Sequence, residues 1–417
     1  MAALKNSILM LVENNSYPGD TRVRREALAL VDAGFHVTVI APRALGQPKR
    51  DVVDDVHVYR YPEPTERDSF WGFVWEFLYS TIVAFIVSFS VWRKEGFDVI
   101  HAHNPPDTLF AIGLFYKLFG KKFVFDHHDL APELYMARTG GKGNKLVYNV
   151  LRLLERWSFR TADLVIATNE SYKKIALTRG GVAESKVKIV RNGPPLSFMD
   201  YVQPYPELVN MPKSIFGYAG SIGIQDGLDY FIKALHHLKT SLNRDDFLAI
   251  IMGDGDDVPR IKAMTREYGL EDHVQFTGWL KKEKLMRYLT SIDIGVDPDP
   301  SNDFNDKCTM IKMTEYMAFS KPIIAFDLPE HRFTSKDAAM YVPDNNTEKF
   351  GEALAQLMDD EARRNEMGLI GRQRVEQSIA WEYSVPKLVD AYINVLGFKT
   401  ARMPEAIKPQ LVSDSNV

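Results

Sequence analysis

A short stretch in the second half of the chain carries side chains that suit a sugar nucleotide. Thr309 is predicted to cap a helix, so that its hydroxyl group and the first free backbone N–H groups would form an anion site. Lys312 would add a positive charge in the first turn, and Glu315 would follow on the same face of the helix. A cation for a phosphate and a carboxylate for a sugar diol fit the two parts of such a ligand. The alternative is an ordinary exposed Lys–Glu pair, which contributes about 0.2–0.5 kcal/mol.

The elements around this stretch would hold these side chains in place. Pro298 and Pro300 cannot continue a strand, so a loop is predicted at 297–302. Residues 310–318 have helical composition, and Pro322 followed by two isoleucines restarts a buried strand. The order is therefore loop, helix and strand.

Length and composition limit the classes of function. The 417 residues allow two or three domains, and 45% hydrophobic with 25% charged residues is typical of a soluble globular protein. The net charge of −4 argues against nucleic acid as a partner. The single cysteine, Cys308, excludes an intramolecular disulfide, fits a reducing cytoplasmic location and is interpreted as a small buried side chain. The apolar run at 8–12 is too short for a signal peptide.

The chain opens with a strand, a helix and a second strand. The strands are predicted at 8–12 and 36–40, and the helix begins at Asp20 or Thr21 and ends before Gly34. This βαβ pattern calls for a parallel sheet covered by helices, with ligand-binding loops at the carboxyl ends of the strands. Arg22 and Arg25 in the first helical turn would either face a phosphate or be solvated.

Two segments of the first half have an unusual distribution of apolar residues. The segment at 71–92 is strongly apolar, and three readings stay open: a buried helix, a helix resting on a membrane surface, and a membrane span. The segment at 145–160 is amphipathic and carries several arginines. It would pack against its own domain or contact anionic lipid.

Polar residues follow a predicted strand at 122–126. The run Asp126-His127-His128-Asp129 could bind a metal, or could contribute one polar side chain, His128, to a ligand site. Neighbouring residues on an extended segment point to opposite sides, so they rarely bind the same ion. No metal is therefore predicted.

The second half repeats the alternation of strands and helices. Its loops carry glycines at 220–227, at 253–255 and at Gly278, which precedes Trp279. The spacing does not match a dinucleotide fingerprint, but glycines permit close approach of the backbone to a ligand. The predicted fold class is α/β, with two doubly wound domains and a ligand site in the cleft between them.

Several motifs, in order, resemble glycosyltransferase family 4. They are Arg191-Asn192-Gly193, Gly253-Asp254-Gly255, Phe276-Thr277-Gly278-Trp279, Glu315-Tyr316-Met317-Ala318 and Lys321-Pro322-Ile323-Ile324-Ala325. The run at 18–27 also resembles the opening helix of bacterial polysaccharide-assembly members. Each motif alone is weak, but together they span roughly residues 7–397.

The resemblance implies a GT-B fold with two Rossmann-like domains. These would be an acceptor-binding domain at 1–200 and a nucleotide-sugar domain at 213–380. A helix at 381–397 would cross back to the first domain, and a tail would follow at 398–417.

The resemblance also implies roles for individual residues. Glu315 would bind the ribose hydroxyls, and Gly253, Gly278 and Trp279 would lie near the base. His128 would face the transferred sugar. The remaining candidate substrate-binding residues are Gly19, Arg22, Asn192, Gly220, Ser221, Gly255, Lys307 and Thr309. Transfer would retain the anomeric configuration and use neither a metal nor a cofactor beyond the nucleotide diphosphate sugar donor.

The sequence departs from the family pattern at two places. Lys307 stands where the family commonly has a glutamate eight positions before Glu315, and Ser221 and Asp226 stand where it commonly has arginine and lysine. Our hypothesis is that Lys312 and the helix end at Thr309 supply the missing positive charge for the phosphates.

The sequence thus predicts a glycosyltransferase acting on a lipid-linked or growing saccharide at the inner face of a bacterial membrane. Two alternatives stay open. One is a sugar-nucleotide epimerase or hydrolase on the same fold, and the other is a non-catalytic saccharide-binding protein.

Overall fold

The computed structural model describes residues 6–63 and 70–397 of the chain. These residues form two compact units. The first unit contains the described residues up to 132 together with 144–192 and 383–397, and the second contains 133–143 and 193–382. The predicted tail at 398–417 lies outside the described residues.

The first unit is built on one eight-stranded sheet. Its strands are β1 (Ser7–Leu11), β2 (His36–Arg43), β3 (Arg50–Val53), β4 (Val56–Pro62), β5 (Val99–His103), β6 (Lys122–His127), β7 (Leu164–Ala167) and β8 (Val187–Ile189). The order in the sheet is β3-β4-β2-β1-β5-β6-β7-β8, and every neighbouring pair is parallel except β3 with β4. The loops after the parallel strands therefore lie at one edge of the sheet.

Helices join the strands of the first unit. They are α1 (Thr21–Asp32), α2 (Phe70–Lys94), α3 (Phe110–Lys117), α5 (Lys145–Thr161) and α6 (Glu170–Thr178). Between β6 and α5 the chain also forms α4 (Ala131–Arg138), most of which belongs to the second unit. All five residues of β1 are buried, which is the pattern of a parallel strand covered by helices on both faces.

α1 begins and ends as its sequence predicts. The Asp20 side chain accepts a hydrogen bond from the Val23 N–H at 3.0 Å and so caps the first turn. Val23, Ala27 and Leu30 recur at helical spacing and are buried. The helix stops before Gly34, which has a φ of +86°. This helix carries Arg22 to the carboxyl ends of the strands.

α2 shows that the apolar segment predicted at 71–92 is helical. One side of the helix, including Ala84, Ser88 and Val91, is buried, whereas the opposite side is exposed. Among the described residues, it is the one helix that is long and apolar enough to cross a membrane. Of its most apolar window, 22% is buried. The side chains of Trp71 and Phe73 lie outside the described part of the chain.

The second unit has a six-stranded, wholly parallel sheet. Its strands are β9 (Ser214–Ala219), β10 (Phe247–Met252), β11 (Val274–Gly278), β12 (Ile294–Asp297), β13 (Ile323–Phe326) and β14 (Ala339–Val342), in the order β11-β10-β9-β12-β13-β14. Its helices are α7 (Pro206–Val209), α8 (Leu228–Thr240), α9 (Val258–Glu267), α10 (Lys282–Ser291), α11 (Ile311–Ala318), α12 (Pro329–Ser335), α13 (Thr347–Asp359) and α14 (Glu361–Arg374).

The core of the second unit lies on both faces of this sheet. Successive side chains of a strand point to opposite faces. Phe216 and Tyr218 of β9 accordingly enter one hydrophobic cluster, and Ile215 and Ala219 enter the other. Helices cover both clusters, so the arrangement is Rossmann-like.

The boundary between the units differs from the predicted one. The first domain was expected to extend to residue 200, but the chain passes to the second unit at Gly193. Phe198, Met199 and Leu208 are buried in the core of the second unit, which explains why the chain from 193 onward packs there. The chain between the two predicted domains contains the short helix α7 (Pro206–Val209).

The last described helix, α15 (Val385–Leu396), belongs to the first unit. The Tyr392 hydroxyl lies 2.6 Å from His101 Nδ1 of β5, and the Tyr392 ring packs on Phe35 with 5.8 Å between centroids. The chain thus returns to the first unit after completing the second.

Candidate functional site

Arg22 is the centre of a buried polar cluster in the first unit. Its Nε and Nη2 donate to the two carboxylate oxygens of Asp126 at 2.8 and 2.7 Å. Its Nη1 donates to Asn192 Oδ1 at 2.6 Å and to the Val190 carbonyl oxygen at 3.2 Å. Nη2 also lies 2.9 Å from Glu26 Oε1. Arg22 was expected to face a phosphate or to be solvated; the structure instead buries its guanidinium among protein acceptors, and Asn192 supports it.

Asp126, at the end of β6, binds three cationic or polar partners. Besides Arg22, its Oδ2 accepts from His103 Nδ1 at 2.9 Å and from His128 Nδ1 at 3.2 Å. Burial would raise the pKa of Asp126, but the positive charges of Arg22 and His128 and the histidine hydrogen bonds hold that pKa well below its ordinary value. Asp126 is therefore an anion that fixes the ring orientation of both histidines.

His128 lies in the loop after β6 and is 12% exposed. Burial lowers the pKa of this imidazole, but the Asp126 carboxylate outweighs the burial and raises the pKa to about 9. The backbone N–H groups of His128 and Asp129 both donate to Asn104 Oδ1, at 2.9 and 3.0 Å. The loop is thus clamped, and His128 is a cationic donor at neutral pH.

His127 points away from His128, as alternation along an extended segment predicts. Its Nε2 lies 3.2 Å from Glu155 Oε1, and Arg179 contacts the same carboxylate. The two neighbouring histidines therefore do not converge on one ion.

Glu26, His101, His103 and Asp126 form a tight group of potential metal ligands, with ligand atoms within 4.8 Å of one another. The guanidinium of Arg22, however, already contacts both carboxylates, at 2.7 and 2.9 Å. A further cation there would meet this fixed positive charge. Burial raises the pKa of Glu26 to about 8 although Arg22 opposes the shift, so the carboxyl group is largely neutral at pH 7. The group fits an internal polar network better than a metal site.

Gly19 forms a tight turn before α1. Its N–H donates to the Ser16 carbonyl oxygen at 2.6 Å, and a Cβ at Gly19 would lie 2.9 Å from that oxygen. The turn positions Asp20, the cap of α1. Gly19 itself is exposed at the carboxyl end of β1, where the sequence predicts it to line a ligand.

The second unit has its own group of loops at the carboxyl ends of β9, β10 and β11. The Gly220 N–H donates to Met252 O and the Ile222 N–H to Asp254 O, both at 3.0 Å. A Cβ at Gly253 would lie 1.8 Å from the Gly220 carbonyl oxygen, and a Cβ at Gly255 would lie 2.4 Å from that of Ile222. Glycine is therefore required where these loops touch.

Asp226 anchors the glycine loop at the position where the family commonly has a basic residue. Its Oδ2 accepts from the Gly223 N–H at 2.7 Å. Burial raises the pKa of Asp226, although Lys312 opposes the shift. The Tyr218 hydroxyl donates to the Ser221 carbonyl oxygen at 2.5 Å, and Ser221 is exposed beside these contacts.

The structure corrects the predicted start of the site helix. α11 begins at Ile311, and Met310 precedes it without a side-chain cap. The prediction that Thr309 caps this helix is wrong, because the Thr309 hydroxyl is 3.4 Å from Glu330 Oε2 instead. Lys307 donates to the Asp303 carbonyl oxygen within its own loop. Cys308 is 8% exposed, in keeping with its interpretation as a small buried side chain.

Lys312 is buried in an ion-pair cluster. Its Nζ lies 2.8 Å from Asp299 Oδ1 and 3.3 Å from Asp297 Oδ1, and 4.8 Å from the centre of the Tyr218 ring. Burial and Asp297 raise the pKa of Asp299 well above its ordinary value, whereas Lys312 and His331 overcome burial and lower that of Asp297. The expectation of an exposed Lys312–Glu315 pair, and of a free Lys312 charge for phosphate, does not fit this geometry.

Lys312 nevertheless lies beneath the glycine loop. Its Cε is 3.6 Å from the position that a Cβ of Gly220 would occupy. Glu315, one turn later on α11, is half-buried. Trp279 follows β11 and is 77% exposed, with Gly278 before it at a φ of +69°. The second unit therefore gathers glycine backbone, an exposed indole and a carboxylate-bearing helix at one sheet edge.

The comparisons with known proteins agree with this fold. A model of glycosyl transferases group 1 matches residues 204–374, and a glycosyl transferase 4-like domain matches residues 19–193. Two Rossmann-like units, each built on a largely parallel sheet, together with these matches define a GT-B glycosyltransferase. The chain belongs to the glycosyltransferase family 4 type of this class.

Individual relatives are distant but cover most of the chain. An uncharacterized glycosyltransferase of Methanocaldococcus jannaschii is 21% identical over 85% of this chain and 88% of its own length. O-antigen chain mannosyltransferase C of Escherichia coli is 22% identical over 72% of this chain and 76% of its own. The structure of HepE from Anabaena with UDP-glucose has a TM-score of 0.68 and 14% identity, and the match covers 93% of this chain and 99% of that one.

Proposed function

We propose that this glycosyltransferase moves a sugar from a nucleotide diphosphate sugar to a lipid-linked or growing saccharide of a bacterial surface polysaccharide. The observation that carries the proposal is the glycine-lined edge of the second unit beside Glu315 on α11. Similarity to HepE, whose structure contains UDP-glucose, and to an O-antigen mannosyltransferase supports the substrate classes.

The donor is proposed to bind along the edge of the second unit. Trp279, an exposed indole, offers a flat face for the base, and Gly278, where a Cβ would meet no atom within 4 Å, leaves room beside it. Glu315 would accept hydrogen bonds from the ribose hydroxyls. Charge-assisted hydrogen bonds of this kind are among the stronger ones in binding sites.

The leaving diphosphate requires stabilisation of the negative charge that develops on it. In the proposed mechanism, the exposed Ser221 and the backbone of the Gly220 loop donate to the phosphates. The Lys312 ammonium is already paired with Asp297 and Asp299, so it does not contact the phosphates. Its role in this mechanism is to neutralise Asp297 and to hold the loop in place.

His128 is assigned to the transferred sugar. Its Nδ1 is bonded to Asp126, so the ring presents Nε2, and the raised pKa keeps that nitrogen protonated at neutral pH. An imidazolium donates a charge-assisted hydrogen bond to a sugar hydroxyl. The transfer is proposed to retain the anomeric configuration of the sugar. In this scheme, the transfer requires no metal and no protein nucleophile.

An apolar surface on the first unit supports an acceptor at the membrane. It consists of exposed side chains of α2, α3 and α5, together with the turn after α3: Trp75, Leu78, Ile82, Ile86, Leu114, Leu118, Phe119, Leu146, Val150, Leu153 and Trp157. Ring contacts connect the three helices. Phe115 packs on Phe85 with 5.0 Å between centroids, and Phe110 packs on Trp157 with 5.4 Å. The surface is therefore continuous across the helices.

Positive charge borders this apolar surface. The exposed charged residues of α5 are Lys145, Arg152, Arg156 and Arg160, and the one acid of that helix, Glu155, is buried. Arg93 and Lys94 are exposed at the end of α2. Apolar side chains bordered by cations suit an anionic lipid surface. We propose that this surface rests on the inner face of the cytoplasmic membrane.

A thermal-shift screen with UDP, GDP, ADP and their sugars tests the donor, because a ligand that binds only the folded state raises its stability. One nucleotide diphosphate should raise the melting temperature; failure of all of them would favour a non-catalytic saccharide-binding protein. Incubation of the bound sugar nucleotide with and without a lipid-linked saccharide then tests the reaction. Acceptor-dependent product with an unchanged anomer is expected, whereas turnover to free sugar or an epimer without acceptor would contradict transfer.

A further inference from the structure

A second polar cluster of the first unit lies away from the candidate site. His36 is the first residue of β2, His57 lies near the start of β4, and Glu95 follows the last residue of α2. These positions are at the amino ends of parallel strands. The ligand-binding loops described above follow the carboxyl ends, so the proposed sugar-transfer chemistry makes no use of this cluster.

The two histidines converge on a single carboxylate oxygen. His36 Nε2 lies 3.2 Å and His57 Nδ1 3.1 Å from Glu95 Oε2. All three ligand atoms lie within 4.8 Å of one another, and the imidazole rings meet nearly edge to face, with 4.6 Å between centroids. Tetrahedral zinc with Zn–N and Zn–O bonds of about 2.0–2.1 Å requires ligand atoms roughly 3.3 Å apart. Both nitrogen-to-oxygen distances are close to that value.

Glu95 Oε2 has more polar neighbours than it has lone pairs with which to accept hydrogen bonds. The Thr38 hydroxyl donates to it at 2.8 Å, in addition to the two imidazole nitrogens. A carboxylate oxygen offers about two acceptor sites. An ion held between Oε2 and the two nitrogens would occupy one of them and leave the other for Thr38.

The surroundings of Glu95 match those of protein metal ligands. The Tyr59 hydroxyl donates to Oε1 and Thr38 to Oε2, so hydrogen bonds orient the carboxylate from β2 and β4. Such partners are typical around metal-binding carboxylates. Among the described residues, no lysine or arginine forms an ion pair with Glu95, in contrast to Arg22 in the buried cluster. His36, His57 and Glu95 are 22%, 38% and 14% exposed, so an ion and a water molecule can enter.

We propose that His36, His57 and Glu95 bind one Zn²⁺ ion, with water as the fourth ligand. Two imidazoles and a carboxylate are a known ligand set for tetrahedral zinc. The ion would join the starts of β2 and β4 to the end of α2. It would therefore fasten the helix that carries much of the apolar surface to the sheet beneath it.

The test measures zinc binding by the full-length protein directly. The protein is stripped with a chelator, and Zn²⁺ alone is titrated against a chromophoric competitor, with bound metal counted by mass spectrometry of the element. The wild type should bind one zinc ion per chain and gain melting temperature. His57→Gln and Glu95→Gln should lose that ion and the gain, and Thr38→Val should weaken binding about tenfold.

Two further variants separate metal binding from general destabilisation. His57→Cys replaces one zinc ligand by another and should restore stoichiometric binding that His57→Gln lacks. His273→Gln removes a histidine that contacts one carboxylate only, Asp245, and should leave zinc binding unchanged. The proposal is overturned if the wild type binds no stoichiometric zinc, or if His57→Gln and Glu95→Gln, shown folded by circular dichroism, bind it as the wild type does.

Discussion

Arg22 donates two parallel hydrogen bonds to the carboxylate of Asp126, at 2.8 and 2.7 Å, although 104 positions separate the two residues in the chain. The pair joins the start of α1 to the end of β6. It also holds His128, which shares Oδ2 of Asp126. The candidate sugar-binding histidine is thus positioned by an arginine that itself faces only protein.

Replacing Arg22 should destabilise the protein strongly. Arg22→Ala leaves Asp126 without its main counter-charge in a buried site, and breaking a buried ion pair in this way costs about 3–5 kcal/mol. Arg24→Ala is the matched control, since Arg24 lies on the same helix and pairs with Asp54 at the surface. That exposed pair contributes about 0.2–1 kcal/mol. Urea denaturation of both variants checks the difference; similar losses would contradict the role of the Arg22–Asp126 pair.

His128 should titrate well above an ordinary histidine. Its pKa is raised to about 9, compared with about 6.5 in the unfolded chain. The sign of the linkage follows: the interaction stabilises the fold fully below pH 6.5 and is lost as the pH rises through 9. Heteronuclear NMR of the His128 ring measures the pKa directly. A value near 6.5 would contradict the Asp126–His128 interaction.

Lys312→Met should destabilise the second unit, and more so at neutral than at acidic pH. In the wild type, Lys312 lowers the pKa of Asp297, so this pair contributes stability above the unfolded-state pKa of about 3.9. Without the ammonium, Asp297 must be buried as an unpaired anion or take up a proton, and the loss at pH 7 should be about 3–5 kcal/mol.

Denaturation of Lys312→Met at pH 7 and pH 4.5 checks this dependence. The exposed Lys233, paired with Asp229 on the surface of α8, supplies the control Lys233→Met, with little loss at either pH. A Lys312→Met variant that is as stable as the wild type but binds donor less well would instead restore Lys312 to direct phosphate contact.

Gly253→Ala should abolish donor binding while leaving most of the fold intact. A methyl group there would lie 1.8 Å from the Gly220 carbonyl oxygen, so the loops at the edge of the second unit would have to separate. Gly269→Ala is the control, since Gly269 also has a positive φ, of +61°, but open space around it. Isothermal titration with the nucleotide diphosphate found in the screen compares them; equal affinities would exclude this edge as the donor site.

The apolar surface should control attachment to anionic vesicles. Ile86→Glu and Leu153→Glu place a charge on exposed positions of α2 and α5, and each should lower the bound fraction about tenfold, because burial of one such side chain contributes about 1.5–3 kcal/mol. Leu369→Glu changes a leucine of the second unit that is 55% exposed and should bind as the wild type does. Flotation with neutral and anionic vesicles provides the measurement. Wild-type protein that binds neither kind of vesicle would contradict the membrane proposal.

Local signals in the sequence predicted much of the fold. The Asp20 cap, the alternation of apolar strands with amphipathic helices, and the glycines after β9 and β10 each act within a few residues. The family motifs then indicated the edge of the second unit at which we propose that the donor binds. The apolar segment of α2 was recognised as a helix, but only the fold distinguishes its buried side from its exposed side.

Long-range partners account for what the sequence reading missed. Nothing near Arg22 indicates that Asp126 and Asn192 will enclose it, because the sheet brings them together. Threonine is a favourable cap residue, yet the Thr309 hydroxyl donates to Glu330 of a later helix instead. The partners of Lys312 lie closer in the sequence, since Asp297 and Asp299 precede it by 15 and 13 residues. Both lie at or just after the end of a buried strand, which is a signal of a buried ion pair.

The preference of the protein for a ribose over a deoxyribose in its nucleotide tests the proposed role of Glu315 most directly. Titration calorimetry compares the nucleotide diphosphate with its 2′-deoxy form on the wild type and on Glu315→Gln. We predict that the wild type prefers the ribose form at least about tenfold, since a hydrogen bond to a charged group contributes about 1.5–3 kcal/mol, and that Glu315→Gln loses most of this preference. An equal preference in both proteins would contradict the proposal that Glu315 holds the donor.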